Sequence, residues 1–245
     1  MRGGEQSQPA ADNQTVQYFD AHRHHYGPAR IKGVARLIGE QLGPGSRLVD
    51  VGCGTGDNLR LLSERLGIID VTAMDVSAAS LECVATVMPN AVTAHVSVLD
   101  DEALRPWQGK FDGVLMAAVL HHLVGPTRGA SRRLALKGLV GATRLLRPNG
   151  LLVLLEPTYT PKALNETLFW AKRAVTTVTG DRVPIGQRYW MNVGAPVVSF
   201  YSRHEVERML GAADLRVVAT RHRPAALGPV TRVYHKEDST YLCAR

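Results

Sequence analysis

The sequence predicts an α/β domain built on a doubly wound parallel sheet. Short apolar runs alternate with stretches of helical spacing between residues 47 and 155. Strands that alternate with helices of about 10–15 residues form βαβ units, which assemble into parallel sheets. The run from Leu151 to Leu155 is apolar throughout, as is typical of a strand that is buried on both faces.

Each element of this alternation has its own signal. Apolar runs predict strands at residues 47–51, 68–75, 91–98, 111–118, 151–155, 215–219 and 239–244. Helical spacing predicts helices at residues 57–66, 77–87, 132–146 and 202–212. Ser77 suits a helix N-cap. The triplet Pro148-Asn149-Gly150 is expected to end the long helix that precedes it.

The remaining segments are predicted to surround the sheet. Residues 1–14 are polar, and we expect a disordered tail there. We expect residues 15–245 to form one domain. Residues 15–44 carry an apolar helical face that ends in a Gly-Pro-Gly triplet, and we expect N-terminal lid helices there. Residues 157–200 interrupt the alternation after the fifth strand. They predict an insertion on the substrate side of the same domain.

The composition excludes several classes of protein. Hydrophobic residues make up 45% of the chain, which is ordinary for a globular protein. No apolar run reaches the roughly 18 residues that a membrane span requires, and the N-terminal residues lack the apolar core of a secretory signal. Cys53, Cys83 and Cys243 do not have the spacing of a metal or redox motif. We therefore expect a cytoplasmic protein with no metal site.

Basic residues are concentrated in the second part of the chain. Residues 1–100 carry 8 basic and 11 acidic side chains, whereas residues 101–245 carry 21 and 11. A basic surface can meet nucleic acid, a membrane or an acidic substrate. These charges are dispersed along the sequence, and no separate nucleic-acid-binding module is visible. The pattern favours a solvated surface, and we do not expect a nucleic-acid partner.

A glycine-rich turn directly follows the first predicted strand. It contains Asp50, Gly52, Cys53, Gly54 and Gly56, and a predicted helix starts at the next residue. Glycine allows positive φ and close approach of a ligand to the backbone, and a helix N-terminus attracts anions. The dinucleotide fingerprint G-x-G-x-x-G has a third glycine at its sixth position, and neither register of this turn provides one. The turn therefore favours the carboxylate of S-adenosylmethionine (SAM) over a pyrophosphate.

Acidic residues follow the next two predicted strands. Asp75, with Val76 after it, ends the second strand, where a carboxylate can accept hydrogen bonds from both ribose hydroxyls. Leu99 and Asp100 follow the third strand at the same edge of the sheet, within reach of an adenine amino group. Each carboxylate also has a structural alternative. Asp75 could serve only the following turn, and Asp100 could belong to a solvated acidic turn.

A pair of histidines follows the fourth predicted strand. His121 and His122 come after the apolar run that ends at Ala118. Histidine can act as a general base near neutral pH, so both are candidate catalytic residues. The alternative is that one or both only orient a loop through hydrogen bonds.

Five segments together resemble the class I SAM-dependent methyltransferases. They are LVDVGCGTGDN, AMDVS, VLDDEAL, KFDGVLMAAVLHHL and LLRPNGLLVLLEP. The resemblance is strongest to the group that contains the ubiquinone and menaquinone biosynthesis enzymes and many natural-product methyltransferases. It implies a Rossmann-like, seven-stranded sheet whose last strand is antiparallel. It also implies roles for the motif residues: the methionine end of SAM at Asp50, Gly52, Gly54 and Gly56, the ribose at Asp75, and the adenine at Leu99 and Asp100.

Aromatic residues in the two peripheral segments are candidates for binding the methyl acceptor. Tyr18 and Tyr26 lie in the predicted lid, and Trp170, Tyr189 and Trp190 lie in the predicted insertion. Small-molecule pockets are commonly lined by aromatic side chains with a few polar groups. These residues predict an apolar or aromatic acceptor. The alternatives are that they pack the insertion onto the sheet, or that the insertion forms a homodimer contact.

The function predicted from the sequence is methyl transfer from SAM to a small-molecule acceptor, with oxygen as the expected acceptor atom. One alternative is an RNA methyltransferase. Against it, the chain lacks the N/D-P-P-Y tetrapeptide of enzymes that methylate amino groups of nucleic acids, and the Pro-Cys pair used on pyrimidine rings. Another alternative is a protein that binds SAM or a dinucleotide without catalysis. The sequence leaves the oligomeric state open.

Overall fold

Seven strands form one sheet, and helices cover both of its faces. The computed structural model describes residues 28–179, 197–225 and 233–245. The predicted tail, part of the predicted lid and the centre of the predicted insertion lie outside these ranges, as do Tyr18, Tyr26, Tyr189 and Trp190. None of the described helices combines the length and the hydropathy of a membrane span.

The first half of the described chain alternates strictly between helix and strand. Its elements are α1 (Pro28–Ile38), β1 (Arg47–Val51), α2 (Asp57–Leu66), β2 (Asp70–Asp75), α3 (Ala78–Val87), β3 (Val92–His95) and α4 (Asp101–Leu104). The second half begins with β4 and then contains longer elements. These are β4 (Phe111–Ala117), α5 (Arg128–Leu145), β5 (Leu146–Thr160), α6 (Lys162–Thr179), α7 (Arg203–Ala212), β6 (Arg216–Ala225) and β7 (His235–Ala244).

The strand order places the candidate site. The strands lie in the order β3-β2-β1-β4-β5-β7-β6. The first five pair in parallel, and β7 runs antiparallel between β5 and β6. The expected Rossmann-like sheet with an antiparallel last strand is therefore confirmed. The order reverses between β1 and β4, and open α/β sheets bind ligands at the carboxyl ends of the strands beside such a reversal.

Two apolar layers hold the helices on the sheet. One layer joins α5 and α7 to one face, with Leu139 and Leu210 fully buried. The other joins α1, α2 and α3 to the opposite face, with Ile38, Leu59 and Val84 fully buried. The central strands contact both layers, which explains why the sequence of β4 is apolar on both faces.

Several element boundaries differ from those predicted by the sequence, most clearly those of β5, β6, β7 and α5. Strand β5 continues to Thr160, because residues 151–160 pair with β7 along their whole length. The first residues of the predicted insertion thus belong to the sheet. Helix α5 begins at Arg128 instead of residue 132, because the Thr127 side chain caps it by accepting a hydrogen bond from the Ala130 N–H.

A buried ionic network fastens α6 to α5 and α7. Arg128 is 3% exposed, and its guanidinium pairs with Glu166 on α6 and Glu205 on α7 at 3.4 and 3.7 Å. Arg132 contacts the same two carboxylates. Glu205 also closes a capping box with Ser202 at the start of α7. The network attaches the helix of the predicted insertion to the body of the domain.

We expect Glu205→Gln to lower the free energy of unfolding by roughly 3 kcal/mol at neutral pH, as when one partner of a buried ion pair is removed. Burial alone would raise the pKa of Glu205, but the Ser202 N–H, Arg128 and Arg132 outweigh it and hold that pKa below its usual range. A lowered carboxyl pKa gives stability that is present above the unfolded-state pKa and is lost as pH falls through the folded-state pKa.

Urea unfolding at about pH 7 and about pH 3.5 measures this difference. The gap between wild type and Glu205→Gln should shrink at the lower pH. Glu64→Gln is the matched control, because Glu64 forms an ion pair with Arg60 while its side chain is 58% exposed. A gap that stayed constant with pH would show that the Glu205 charge contributes nothing to stability.

Candidate active site

Three left-handed glycines shape the turn between β1 and α2. Gly52, Gly54 and Gly56 have φ values of 71°, 53° and 81°, a region that side chains strongly disfavour. A Cβ on Gly52 would lie 2.6 Å from a methyl of Val119. Among the described residues, no atom lies within 4 Å of the position that a Cβ on Gly54 would take. The turn therefore leaves space for a ligand close to its backbone.

The Asp75 carboxylate ties the glycine turn to the end of β2. One of its oxygens accepts a hydrogen bond from the Gly54 N–H at 2.8 Å, and the other accepts one from the Ser77 N–H at 2.9 Å. Burial raises the pKa of Asp75, and these backbone N–H groups oppose that effect. A carboxylate has about four acceptor positions, so it can also accept a hydrogen bond from a hydroxyl donor of a ligand.

Asp50 and Cys53 support the turn from inside. Both are buried, and the N–H groups of Gly52 and Cys53 donate to the Met74 carbonyl on β2 at 2.8 and 3.1 Å. Burial raises the pKa of the Cys53 thiol well above its usual range, and the nearby carboxylates of Asp50 and Asp75 add to this effect. Cys53 is therefore a neutral thiol and not a nucleophile.

The predicted adenine-side residues follow β3. Asp100 is exposed, and its Oδ1 accepts hydrogen bonds from the N–H groups of Glu102 and Ala103. It thus caps α4, a role that the sequence interpretation did not include. Leu99 is partly buried against the apolar layer below α5. On the neighbouring strand end, the carbonyl of Val76 lies 2.8 Å from Nε2 of His95.

The two histidines lie on a short 3₁₀ turn after β4, next to the glycine turn. The chain leaves β4 through Ala118, whose φ is 61°, and the next residue, Val119, packs against Gly52. His121 is 7% exposed, and its ring centroid lies 4.1 Å from that of His122. A non-glycine residue with positive φ is a strained feature that tends to occur at functional sites.

Glu156 directly follows Leu155, the last residue of β5 that pairs with β4, and it binds His121 twice. Its Oε1 lies 2.5 Å from Nδ1 of the imidazole and accepts the backbone N–H of His121 at 3.1 Å. The sequence analysis did not select Glu156. A signal was present, because this residue is the first charged one after the five apolar residues that end at Leu155.

Aromatic rings that the sequence analysis did not select lie beside His121. Phe200 lies between His121 and Tyr159, with ring centroids 5.6 and 4.2 Å away. Tyr234 stacks on Tyr159 with ring centroids 5.1 Å apart. Among the predicted acceptor residues, only Trp170 falls within the described ranges. Its side chain is 48% exposed on α6.

Among the described residues, no cluster of three or more histidine, cysteine or acidic side chains could hold a metal ion. At this edge of the sheet, the Asp75 carboxylate joins the glycine turn to the loop after β2. The His121 imidazole pairs with the buried carboxylate of Glu156. This arrangement can bind a polar ligand beside the glycine turn and accept a proton next to it.

Solved structures of several methyltransferases share the fold. Geranyl diphosphate C-methyltransferase from Streptomyces coelicolor A3(2) aligns with a TM-score of 0.65 and 14% identity, covering 97% of the chain and 98% of that structure. The 1,6-didemethyltoxoflavin-N1-methyltransferase of Burkholderia thailandensis aligns with a TM-score of 0.57 and 15% identity, covering 96% and 86%. At these identities the likeness concerns the fold.

Two curated relatives match part of the chain. The 2-methyl-6-phytyl-1,4-hydroquinone methyltransferase of Synechocystis is 29% identical over 133 residues, which are 54% of the chain and 39% of that protein. An uncharacterized protein of Synechococcus is 34% identical over 112 residues, which are 44% of the chain and 26% of that protein. Each match spans well under half of the relative's length.

A family model described as a methyltransferase domain matches residues 20–220. The match covers most of the chain, including the glycine turn, Asp75 and the histidine pair. Together with the strand order, it confirms the resemblance inferred from the five sequence segments. The chain belongs to the methyltransferase domain family, and it shares its fold with the solved methyltransferase structures.

Proposed function

We propose that this chain transfers a methyl group from SAM to an oxygen atom of an apolar or aromatic small molecule. The observation that carries the proposal is the contact of Val119 with Gly52. This contact brings the turn that bears His121 against the glycine turn. A proton acceptor and a cofactor-binding loop therefore adjoin at the edge where the strand order reverses.

The cofactor would lie along the carboxyl ends of β1, β2 and β3. Its methionine end fits the glycine turn, whose N–H groups and helix N-terminus favour a carboxylate. Its ribose hydroxyls would donate to the Asp75 carboxylate, and its adenine fits the segment from Leu99 to Asp100. The residues assigned to the cofactor are Asp50, Gly52, Cys53, Gly54, Gly56, Asp75, Val76, Leu99 and Asp100.

Bound SAM supplies an electrophilic methyl group on a sulfonium that leaves as a neutral thioether. The leaving group needs no acid, so the residues of the chain act mainly by aligning the acceptor and excluding water. A hydroxyl acceptor must lose its proton, and His121 and His122 are the candidate bases. His121 is the better placed of the two, because Glu156 fixes its ring.

The cluster of Tyr159, Phe200 and Tyr234 supports an apolar or aromatic acceptor. These rings are buried and contact one another, and the Phe200 ring also contacts that of His121. Among the similar proteins, the named acceptors are a phytyl hydroquinone, geranyl diphosphate and a didemethyltoxoflavin. All are small molecules, and their methyl groups go to different atoms. Tyr18, Tyr26, Trp170, Tyr189 and Trp190 remain predicted parts of the acceptor pocket.

We expect the protein to bind S-adenosylhomocysteine in calorimetry and to show no comparable heat with NAD, because the glycine turn lacks the third glycine of the dinucleotide fingerprint. A screen of phenols, hydroquinones and other hydroxylated metabolites with radiolabelled SAM then tests the acceptor class. Preferential binding of NAD would refute the cofactor assignment. Transfer only to amines or to carbon would refute the assignment of oxygen, and transfer to RNA would favour the nucleic-acid alternative.

A further inference from the structure

Glu156 is a buried charged residue next to the candidate base. It lies in β5 directly after the last residue that pairs with β4, and 1% of its surface is exposed. Burying a carboxylate is unfavourable unless charged or hydrogen-bonding partners compensate it. Two donors of one residue, the ring and the backbone N–H of His121, contact its Oε1.

We propose that Glu156 is a positioning residue that holds His121 in the tautomer with Nδ1 protonated and makes Nε2 the basic nitrogen. This inference rests on the proposed function, in which His121 accepts the proton of a hydroxyl acceptor. Glu156 itself exchanges no proton with the substrate. It acts through the orientation and the proton affinity of the imidazole.

The tautomer follows from the contacts of one oxygen atom. An ionised carboxylate can only accept hydrogen bonds, so Nδ1 at 2.5 Å from Oε1 must carry the proton and donate it. The other ring nitrogen then holds the lone pair. Because the same oxygen also accepts the backbone N–H of His121, the ring is fixed relative to its own backbone.

The carbonyl side of His121 is fixed as well. Its carbonyl accepts a hydrogen bond from the Ser199 N–H at 2.9 Å. The Ser199 hydroxyl in turn accepts one from the buried guanidinium of Arg128 at 2.5 Å. Strand β5 thus holds the imidazole and the backbone N–H of His121. The segment before α7 holds its carbonyl, and α5 supports that segment through Ser199. This arrangement keeps the proton acceptor in one position relative to the glycine turn.

Among the described charged side chains around the imidazole, Glu156 contacts it directly. His122 lies beside it on the same turn. Burial raises the pKa of Tyr159 far above its usual range and that of Tyr201 to about 12, so neither carries a charge near neutral pH. The positive charge of Arg128 is balanced by the carboxylates of Glu166 and Glu205. A negative charge at Glu156 stabilises the imidazolium that forms when His121 takes a proton.

Two substitutions separate the geometric effect of Glu156 from its charge. In Glu156→Gln, the amide oxygen can still accept both hydrogen bonds from His121, but the negative charge is lost. In Glu156→Ala, the hydrogen bonds and the negative charge are all lost. ¹⁵N spectra of the imidazole in the cofactor-free protein report the tautomer, with assignment by His121→Asn. The rate of methyl transfer, measured at varied pH with saturating SAM and the acceptor found by the screen, reports the protonation of the base. Glu64→Gln on the exposed face of α2 is the matched control.

We expect the wild type and Glu156→Gln to show protonated Nδ1, and Glu156→Ala to show a mixture of tautomers. A base acts when deprotonated, so activity rises with pH to a plateau. Loss of the Glu156 charge lowers the proton affinity of His121. The rising limb of kcat should therefore move down by about one pH unit in Glu156→Gln. The plateau of kcat should fall about 10-fold in Glu156→Gln and about 100-fold in Glu156→Ala, with little change in KM.

Protonated Nε2 in the wild type would overturn the proposal, because Glu156 would then be the donor to Nδ1. An unchanged pH profile in Glu156→Gln, with the loss of activity traced to unfolding, would show that Glu156 is only a structural anchor. The spectra require no turnover. If the tautomer is as proposed but His121→Asn methylates as fast as wild type, His121 is not the base. That result refutes the proposed role of His121 and leaves the pairing intact.

Discussion

Substitution of Asp75 by alanine is expected to weaken binding of S-adenosylhomocysteine by about 10²- to 10⁴-fold. In our assignment the carboxylate accepts two ribose hydroxyls, and each hydrogen bond to a charged group is worth about 1.5–3 kcal/mol. The same carboxylate holds the N–H groups of Gly54 and Ser77. Its loss therefore also loosens the glycine turn, and calorimetry measures the combined effect.

Two variants separate these contributions. Asp75→Asn keeps one carbonyl oxygen for the turn but loses the negative charge and an acceptor, so we expect an intermediate affinity. Asp70→Asn is the matched control at the opposite end of β2, because the Asp70 side chain is half exposed and pairs with Arg47. Unchanged affinity in a folded Asp75→Ala protein would show that Asp75 serves only the turn. Circular dichroism confirms that the sheet is intact.

The centre of the fold could be predicted from the sequence because its signals are local. The strand at residues 47–51 and the helix at residues 57–66 have the predicted bounds. A central strand must be apolar on both faces, and the glycine spacing encodes the backbone conformation of the turn that follows. Asp75 could be placed at the same edge for the same reason, since parallel strands bring their carboxyl ends together.

The pairing of Glu156 with His121 could not be predicted in this way. The two residues are 35 positions apart, and their contact depends on the register of β4 against β5. The strained Ala118 and the 3₁₀ turn after it then determine where the imidazole lies. Neither feature leaves a periodic pattern in the sequence, so the histidine pair could be selected but its partner could not.

The burial of Arg128 is a second feature without a local signal. The sequence analysis interpreted the basic residues of the second half as a solvated surface. Arg128 instead lies almost wholly inside the domain, with its guanidinium about 5 Å from the ring of Tyr201 and paired with two carboxylates. Glu166 and Glu205 come from helices that are distant in the sequence. Only the packing of α5, α6 and α7 brings these charges together.

Substitution of Gly52 by alanine is expected to lower the affinity for S-adenosylhomocysteine by more than about 100-fold and to abolish methyl transfer. Alanine at φ 71° is strained by roughly 1–2 kcal/mol. Its Cβ would also lie 2.6 Å from the Val119 methyl, and the stiff, branched side chain of Val119 cannot easily turn away. The displacement would pass to the turn that carries His121, so binding and catalysis should fail together.

Gly39→Ala supplies the matched control, because Gly39 also has positive φ, at 58°, but its added Cβ meets no described atom within 4 Å. It should share the backbone strain, measured as a lower thermal midpoint, and keep normal affinity. In the double variant Gly52→Ala with Val119→Ala, the clash is removed and the strain stays, so we expect binding to recover in part. Full affinity in Gly52→Ala alone would contradict the assignment of this turn to the cofactor. If the double variant recovered no binding, the contact between the two turns would not be what makes glycine necessary at this position.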